Sequence, residues 1–186
     1  MKKNVIHDYE VNSCTMFLKP VEYGGKIYTL IVEIKDEFLS PLKPLDIIKN
    51  SCKYYGVDYD SRKRGTRQLI GYSRKIPIVI EPTTHIYFFP TKSPGDPECI
   101  WISLEHVEDY LRLAAQQTKV FFQNKKSYVF PVSFSTINTQ MLRTSFLKTK
   151  LLQRIENNER KLFYLQYRPK SLKASESSEF YLNDPK

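Results

Sequence analysis

At 186 residues, with 41% hydrophobic and 13% aromatic content, the chain can bury one sizeable core and is too short for a second full domain. No apolar run approaches the roughly 20 residues of a membrane span, and MKKNVIHDYE has no apolar signal core behind its lysines, so a cytoplasmic protein with no membrane partner is expected. The net charge of +9 points to an acidic or polyanionic partner, and three widely spaced cysteines, Cys14, Cys52 and Cys99, indicate neither a disulfide framework nor a zinc site.

In chain order, residues 9–18 (YEVNSCTMFL) and 26–34 (KIYTLIVEI) predict two strands joined through Pro20 and Gly24-Gly25 as a hairpin. A short helix is predicted over 44–55. Pro44 suits its first position, Gly56 suits the left-handed residue that ends it, and Leu45, Ile48, Cys52 and Tyr55 share one face. Arg62-Lys63-Arg64-Gly65-Thr66-Arg67 then reads as a basic loop, four cations around a glycine that lets backbone approach a polyanion. Short strands are predicted over 68–72, 76–80, 85–90 and 99–103, bracketed by prolines.

Val107, Tyr110, Leu111, Ala114 and Ala115 recur at helical spacing behind Ser103, so periodicity favours a helix over 104–115, with a strand over 107–113 as the alternative. Residues 119–123 and 127–132 read as a hairpin turning at Asn124-Lys125. A longer helix is predicted over 136–155, with Ile137, Met141, Leu151, Leu152 and Ile155 on one side and Arg143, Lys150 and Arg154 as a basic stripe on another. In Leu162–Lys170, Phe163, Leu165 and Tyr167 alternate with polar or aromatic neighbours at the period of a strand, and Pro169 prevents simple extension. That segment is expected either to dock on the sheet edge of a partner or to clasp the protein's own core. The Ser-rich tail beyond it is expected to be disordered apart from Phe180-Tyr181-Leu182.

The fold class is therefore α+β: a single compact domain with mainly antiparallel sheet, a short helix, a longer helix and a flexible C-terminal tail. Residues 1–158 form the expected core domain and 159–186 a partly extended, partly disordered segment. No glycine-rich phosphate loop, zinc spacing or nucleophile motif is present, and His7, His85 and His106 are scattered, so no catalytic residue, metal or cofactor is assigned.

Charge is concentrated. Residues 43–75 carry nine basic and three acidic side chains, and residues 143–170 carry eight and two, so each stretch nets +6 and the rest of the chain nets −3. This is the pattern of a nucleic-acid footprint.

The motifs Lys43-Pro44-Leu45, Ser51-Cys52, Gly56, Tyr59, Arg62-Lys63, Gly65-Thr66, Phe89-Pro90-Thr91, Cys99, Trp101-Ile102-Ser103, Pro131-Val132-Ser133, Arg143-Thr144, Leu147, Thr149-Lys150 and Arg154-Ile155 resemble, in order and spacing, the competence transcription factor family known as ComK. The resemblance runs from about Tyr9 to Lys170. It implies a bacterial DNA-binding activator of DNA-uptake genes that binds paired AT-rich boxes of double-stranded DNA largely through the minor groove, as dimers assembling in pairs. It also implies proteolytic control through an adaptor to a Clp-type protease, with Phe163, Leu165, Tyr167 and Pro169 as the matching docking stretch, although Gln166 and Arg168 interrupt the family pattern.

Narrow A·T minor grooves attract inserted Arg and Lys, which suits a loop bearing Arg62, Lys63, Arg64 and Arg67, with Lys53 at the end of the helix before it. Arg64 departs from the family pattern. Arg143, Lys150 and Arg154 are expected to position the protein on phosphates. A basic module for RNA or for an acidic protein partner is the alternative, and contact with RNA polymerase is left open.

Overall fold

The computed structural model describes residues 4–167. In chain order the elements are β1 (Asn4–Val5), β2 (Thr15–Tyr23), β3 (Lys26–Glu33), β4 (Glu37–Ser40), α1 (Pro44–Tyr54), α2 (Tyr59–Ile70), β5 (Ile78–Glu81), β6 (Ile86–Pro90), β7 (Trp101–Ser103), β8 (Val107–Ala114), β9 (Gln117–Phe122), β10 (Ser127–Phe130) and α3 (Phe134–Gln166). The chain divides into two units, one reaching Leu151 and the other beginning at Leu152. The first contains both sheets, α1, α2 and the N-terminal half of α3.

A seven-stranded sheet has the order β1-β4-β3-β2-β7-β6-β5, and a three-stranded sheet the order β10-β9-β8. Every pairing is antiparallel except that of β1 with β4. The α+β class with mainly antiparallel sheet is borne out. So is the first hairpin, in which Gly24 (φ 59°) and Gly25 (φ 74°) supply the left-handed turn, although its first strand is Thr15–Tyr23 rather than 9–18 and takes Pro20 inside it. Pro20 is tolerated inside β2 because β7 pairs with β2 only at Phe17 and Leu18, so the missing N–H removes no bond on that side.

Successive residues of the central strands point to opposite faces, and both faces are buried. Leu18, Ile31, Phe88 and Trp101 pack with Ile47, Ile48 and Cys52 of α1 and Tyr59 of α2. Their neighbours Phe17, Val32, Phe89 and Ile102 pack with Val120, Phe122 and Phe130 of the small sheet and Ile137 of α3. Each large side chain so buried contributes about 1.5–3 kcal/mol. A third cluster joins Ile70, at the end of α2, to Val79, Tyr87, Leu104 and Leu147 of α3.

Five expectations are corrected. Residues 62–67 are not a loop and 68–72 are not a strand: α2 runs from Tyr59 to Ile70, with the Asp58 carboxylate accepting from the Ser61 N–H at 3.1 Å and Gly71 (φ 75°) closing the helix. Tyr59, Thr66 and Ile70, at helical spacing, are its buried residues, and this stripe outweighs the poor helix propensity of Gly65.

Residues 107–114 are the strand β8 rather than a helix. Register shifts lie between Val107 and Asp109 and between Arg112 and Ala114. The first of these bulges sets the two half-buried residues, Val107 and Tyr110, three apart, and so imitates helical periodicity. The long helix begins at Phe134 and continues past 155 to Gln166, about 50 Å of helix.

Phe163 and Leu165 are therefore helical, and the rings of Phe163 and Tyr167 meet at 4.5 Å as an i, i+4 pair instead of alternating along a strand. The stretch ERKLFYLQ is made largely of good helix formers and extends an existing helix, so no nucleation cost opposes it. Pro169, the expected tail disorder and the 180–182 cluster lie outside the described residues.

A Cβ added at Gly65 meets nothing within 4 Å, and its backbone is helical. Gly65→Ala is expected to stabilise the protein by about 0.5–1 kcal/mol, read as a higher urea midpoint. Destabilisation would return this segment to a loop that needs glycine.

Candidate nucleic-acid interface

The cations of α2 do not act alike. Arg64 and Arg67 are exposed, Arg64 on the side opposite the buried stripe and Arg67 beside it, and the Arg64 Nη2 donates to Ser61 Oγ at 3.0 Å. Neither forms an ion pair among the described residues. Arg62 instead flanks the buried stripe: its Nε is enclosed, and its charge acts on the buried Cys52 thiol and Tyr87 phenol. Lys63 lies 5.9 Å over the Tyr59 ring. Lys53 is exposed in the last turn of α1, one short connection before the Asp58 cap.

Arg143 is brought to the end of α2. Its guanidinium sits 4.2 Å over the Tyr72 ring, and its Nη1 donates to the Arg74 carbonyl at 3.2 Å. The apolar cluster of Ile70 and Leu147, with Leu69, Met141 and Leu151 packed against it, holds α2 and α3 in this relation. Tertiary packing thus joins part of the two basic stretches into one surface. Lys150 is half-buried, 5.3 Å over the Phe146 ring of the same helix. Arg154 lies beyond the first unit and is exposed on α3.

Sequence reasoning passed over a recess between the 71–75 turn and the first turns of α3. It has a volume of about 250 Å³ and is lined by Arg74, Lys75, Ser135, Thr136, Thr139, Gln140 and Arg143. Arg74 and Lys75 had entered only the charge count. A basic pair just past the αL glycine that stops a helix was the available signal.

Acid–base and nucleophilic chemistry find no support here. Cys52 and Cys99 are buried, which pushes both thiols up to about 11, and Cys14 is exposed. Burial holds the His106 imidazole below its ordinary value, and its Nε2 lies 2.9 Å from the Ser13 carbonyl. Among the described residues no group of His, Cys, Asp and Glu could hold a metal ion, and no helix is long and apolar enough to cross a membrane.

The family model of the ComK protein matches residues 6–156. The chain belongs to the ComK family. It is 35% identical over 179 residues to the competence transcription factor of Bacillus subtilis (strain 168), covering 96% of this chain and 93% of that protein. No solved structure matches the chain. The protein is thus a ComK-type competence transcription factor, a DNA-binding activator of competence genes and not an enzyme.

Burial and raised pKa both predict slow thiol chemistry. At pH 8, Cys14 is expected to react with a disulfide reagent at least about a hundredfold faster than Cys52 and Cys99, which should become reactive only on unfolding. Fast modification of two or more thiols in the native protein would contradict this packing.

Proposed function

We propose that the protein activates competence genes by binding AT-rich promoter boxes largely through the minor groove, with Arg64, Arg67 and Arg143 at the centre of the contact. The observation that carries this reading is the exposure of Arg64 and Arg67, without an ion pair among the described residues, on a helix packed beside α3. An α-helix of about 10–12 Å diameter does not enter a minor groove about 6 Å wide. Helix α2 therefore lies along the backbone and sends long side chains toward the groove, in place of an inserted loop.

Lys53 and Lys63 extend this surface, with Arg62 oriented by its packing, and Lys150 and Arg154 add phosphate contacts along α3. Residues 1–158 serve as the DNA-binding core, acting in the cytoplasm at the nucleoid and assembling as dimers in pairs on the site. No cofactor is invoked.

Double replacement of Arg64 and Arg67 by Ala is expected to weaken binding to an AT-rich duplex by at least ~1 kcal/mol and to flatten the dependence of log K on log salt. The wild-type protein should prefer that duplex over GC-rich duplex and single-stranded RNA in competition. Equal binding of RNA would favour the RNA module, and no nucleic-acid binding at low salt would favour an acidic protein partner.

The same reading assigns the end of α3 to a Clp-protease adaptor. Phe163 and Tyr167 are 60% and 68% exposed and share one side of the helix, which suits an apolar face laid into a partner's groove, with Leu165 (72% exposed) on the other side and Pro169 continuing the segment. Replacing Phe163 and Leu165 with Ser should leave DNA affinity unchanged and slow adaptor-dependent degradation. Undiminished degradation would remove these residues from the docking site.

A further inference from the structure

The recess between the 71–75 turn and the start of α3 has the chemistry of an anion site. Its rim carries the cations Arg74, Lys75 and Arg143, and none of the three forms an ion pair among the described residues. Its floor is the N-terminal part of a 33-residue helix whose first turn has no acidic residue, so the positive end of the helix dipole is left uncompensated. Hydroxyls of Ser135, Thr136 and Thr139 line the same wall. Thr136 Oγ1 accepts from Ser133 Oγ at 3.0 Å, which leaves its own proton to donate.

The site is built rather than incidental. Gln140 is 1% exposed, and its Nε2 donates to the carbonyls of Lys75 at 2.9 Å and Pro90 at 2.6 Å. Those two bonds orient the amide of this recess-lining residue and leave its Oε1 buried with no partner among the described residues. The same bonds hold Lys75 in a left-handed conformation (φ 48°), which a lysine adopts only where surroundings impose it. Arg143 is braced by the Tyr72 ring and the Arg74 carbonyl, and its Nε is likewise enclosed without a partner.

We propose that this recess seats one backbone phosphate of duplex DNA and sets the register of α2 on the double helix. The inference rests on the DNA-binding reading and deepens it. A phosphodiester offers only acceptor oxygens, and the rim offers donors. A base edge, with donors and acceptors mixed, fits this donor-rich lining less well. Because a phosphate carries no sequence information, the site positions the protein and leaves recognition to the groove.

The test is fluorescence anisotropy of the full chain on an AT-rich duplex and on a mixed-sequence duplex, each scanned with single methylphosphonate substitutions that neutralise one phosphate at a time. Arg74→Gln combined with Thr139→Val should weaken both complexes about tenfold alike and lower the salt slope by about one. One methylphosphonate position should cost the wild-type protein about tenfold and the variant nothing. If the pair proves unstable, Lys75→Gly removes a rim charge while relieving the left-handed backbone, and the same loss is expected. A variant that keeps the wild-type slope and methylphosphonate profile would overturn the phosphate seat while leaving DNA binding intact. A wild-type protein that binds no duplex at low salt would overturn both readings.

Discussion

The two-sided burial of the seven-stranded sheet is the constraint on which the molecule depends. Phe17 and Leu18, Ile31 and Val32, Phe88 and Phe89, and Trp101 and Ile102 are adjacent in sequence and face opposite ways. A sheet with two apolar faces must be covered twice. Helices α1 and α2 cover one face; the small sheet and α3 cover the other. With both faces of that sheet spent on the core, Arg64, Arg67 and Arg143 lie on the helices that cover it.

That arrangement explains how charge gathers on the helices. The stripe that docks α2 is short, formed by Tyr59, Thr66 and Ile70, so the remaining circumference is available to Arg64 and Arg67. Mutual repulsion among nearby cations is tolerable where each charged head reaches water or an aromatic face. Lys63 over Tyr59, Arg143 over Tyr72 and Lys150 over Phe146 show the second solution. These stacked side chains give up rotamer freedom before any partner arrives, which lowers the ordering cost of a later contact.

The apolar joint of Ile70 and Leu147 connects fold to function. It carries no charge, yet it sets where the basic turn after α2 meets the start of α3. Gln140 completes the joint with polar bonds, fastening that turn and the end of β6 to one helix. Buried polar groups of this sort add little net stability and much geometric definition, since any other arrangement leaves two carbonyls unpaired.

Much of the molecule was determined by the sequence itself, because the signals are local. Pro44 and Gly56 mark α1, Gly24-Gly25 turns the first hairpin, and short continuous apolar runs bounded by glycine and proline mark the central strands. The ComK motifs, spread over most of the chain, determined the function class in the same direct way. Tertiary structure alone decided the rest. The cationic density of Arg62–Arg67 resembles a loop until Tyr59, Thr66 and Ile70 find a surface to cover, and the spacing of Val107 and Tyr110 resembles a helix until a β-bulge is allowed for. The alternation of Phe163, Leu165 and Tyr167 is strand-like only if a strand neighbour exists, and the residues continue a helix instead. In each case local periodicity was degenerate, and the packing partner, distant in sequence, resolved it. The basic recess is the extreme example: Arg74 and Thr139 are 65 positions apart in the chain and meet only because an apolar cluster folds α2 against α3.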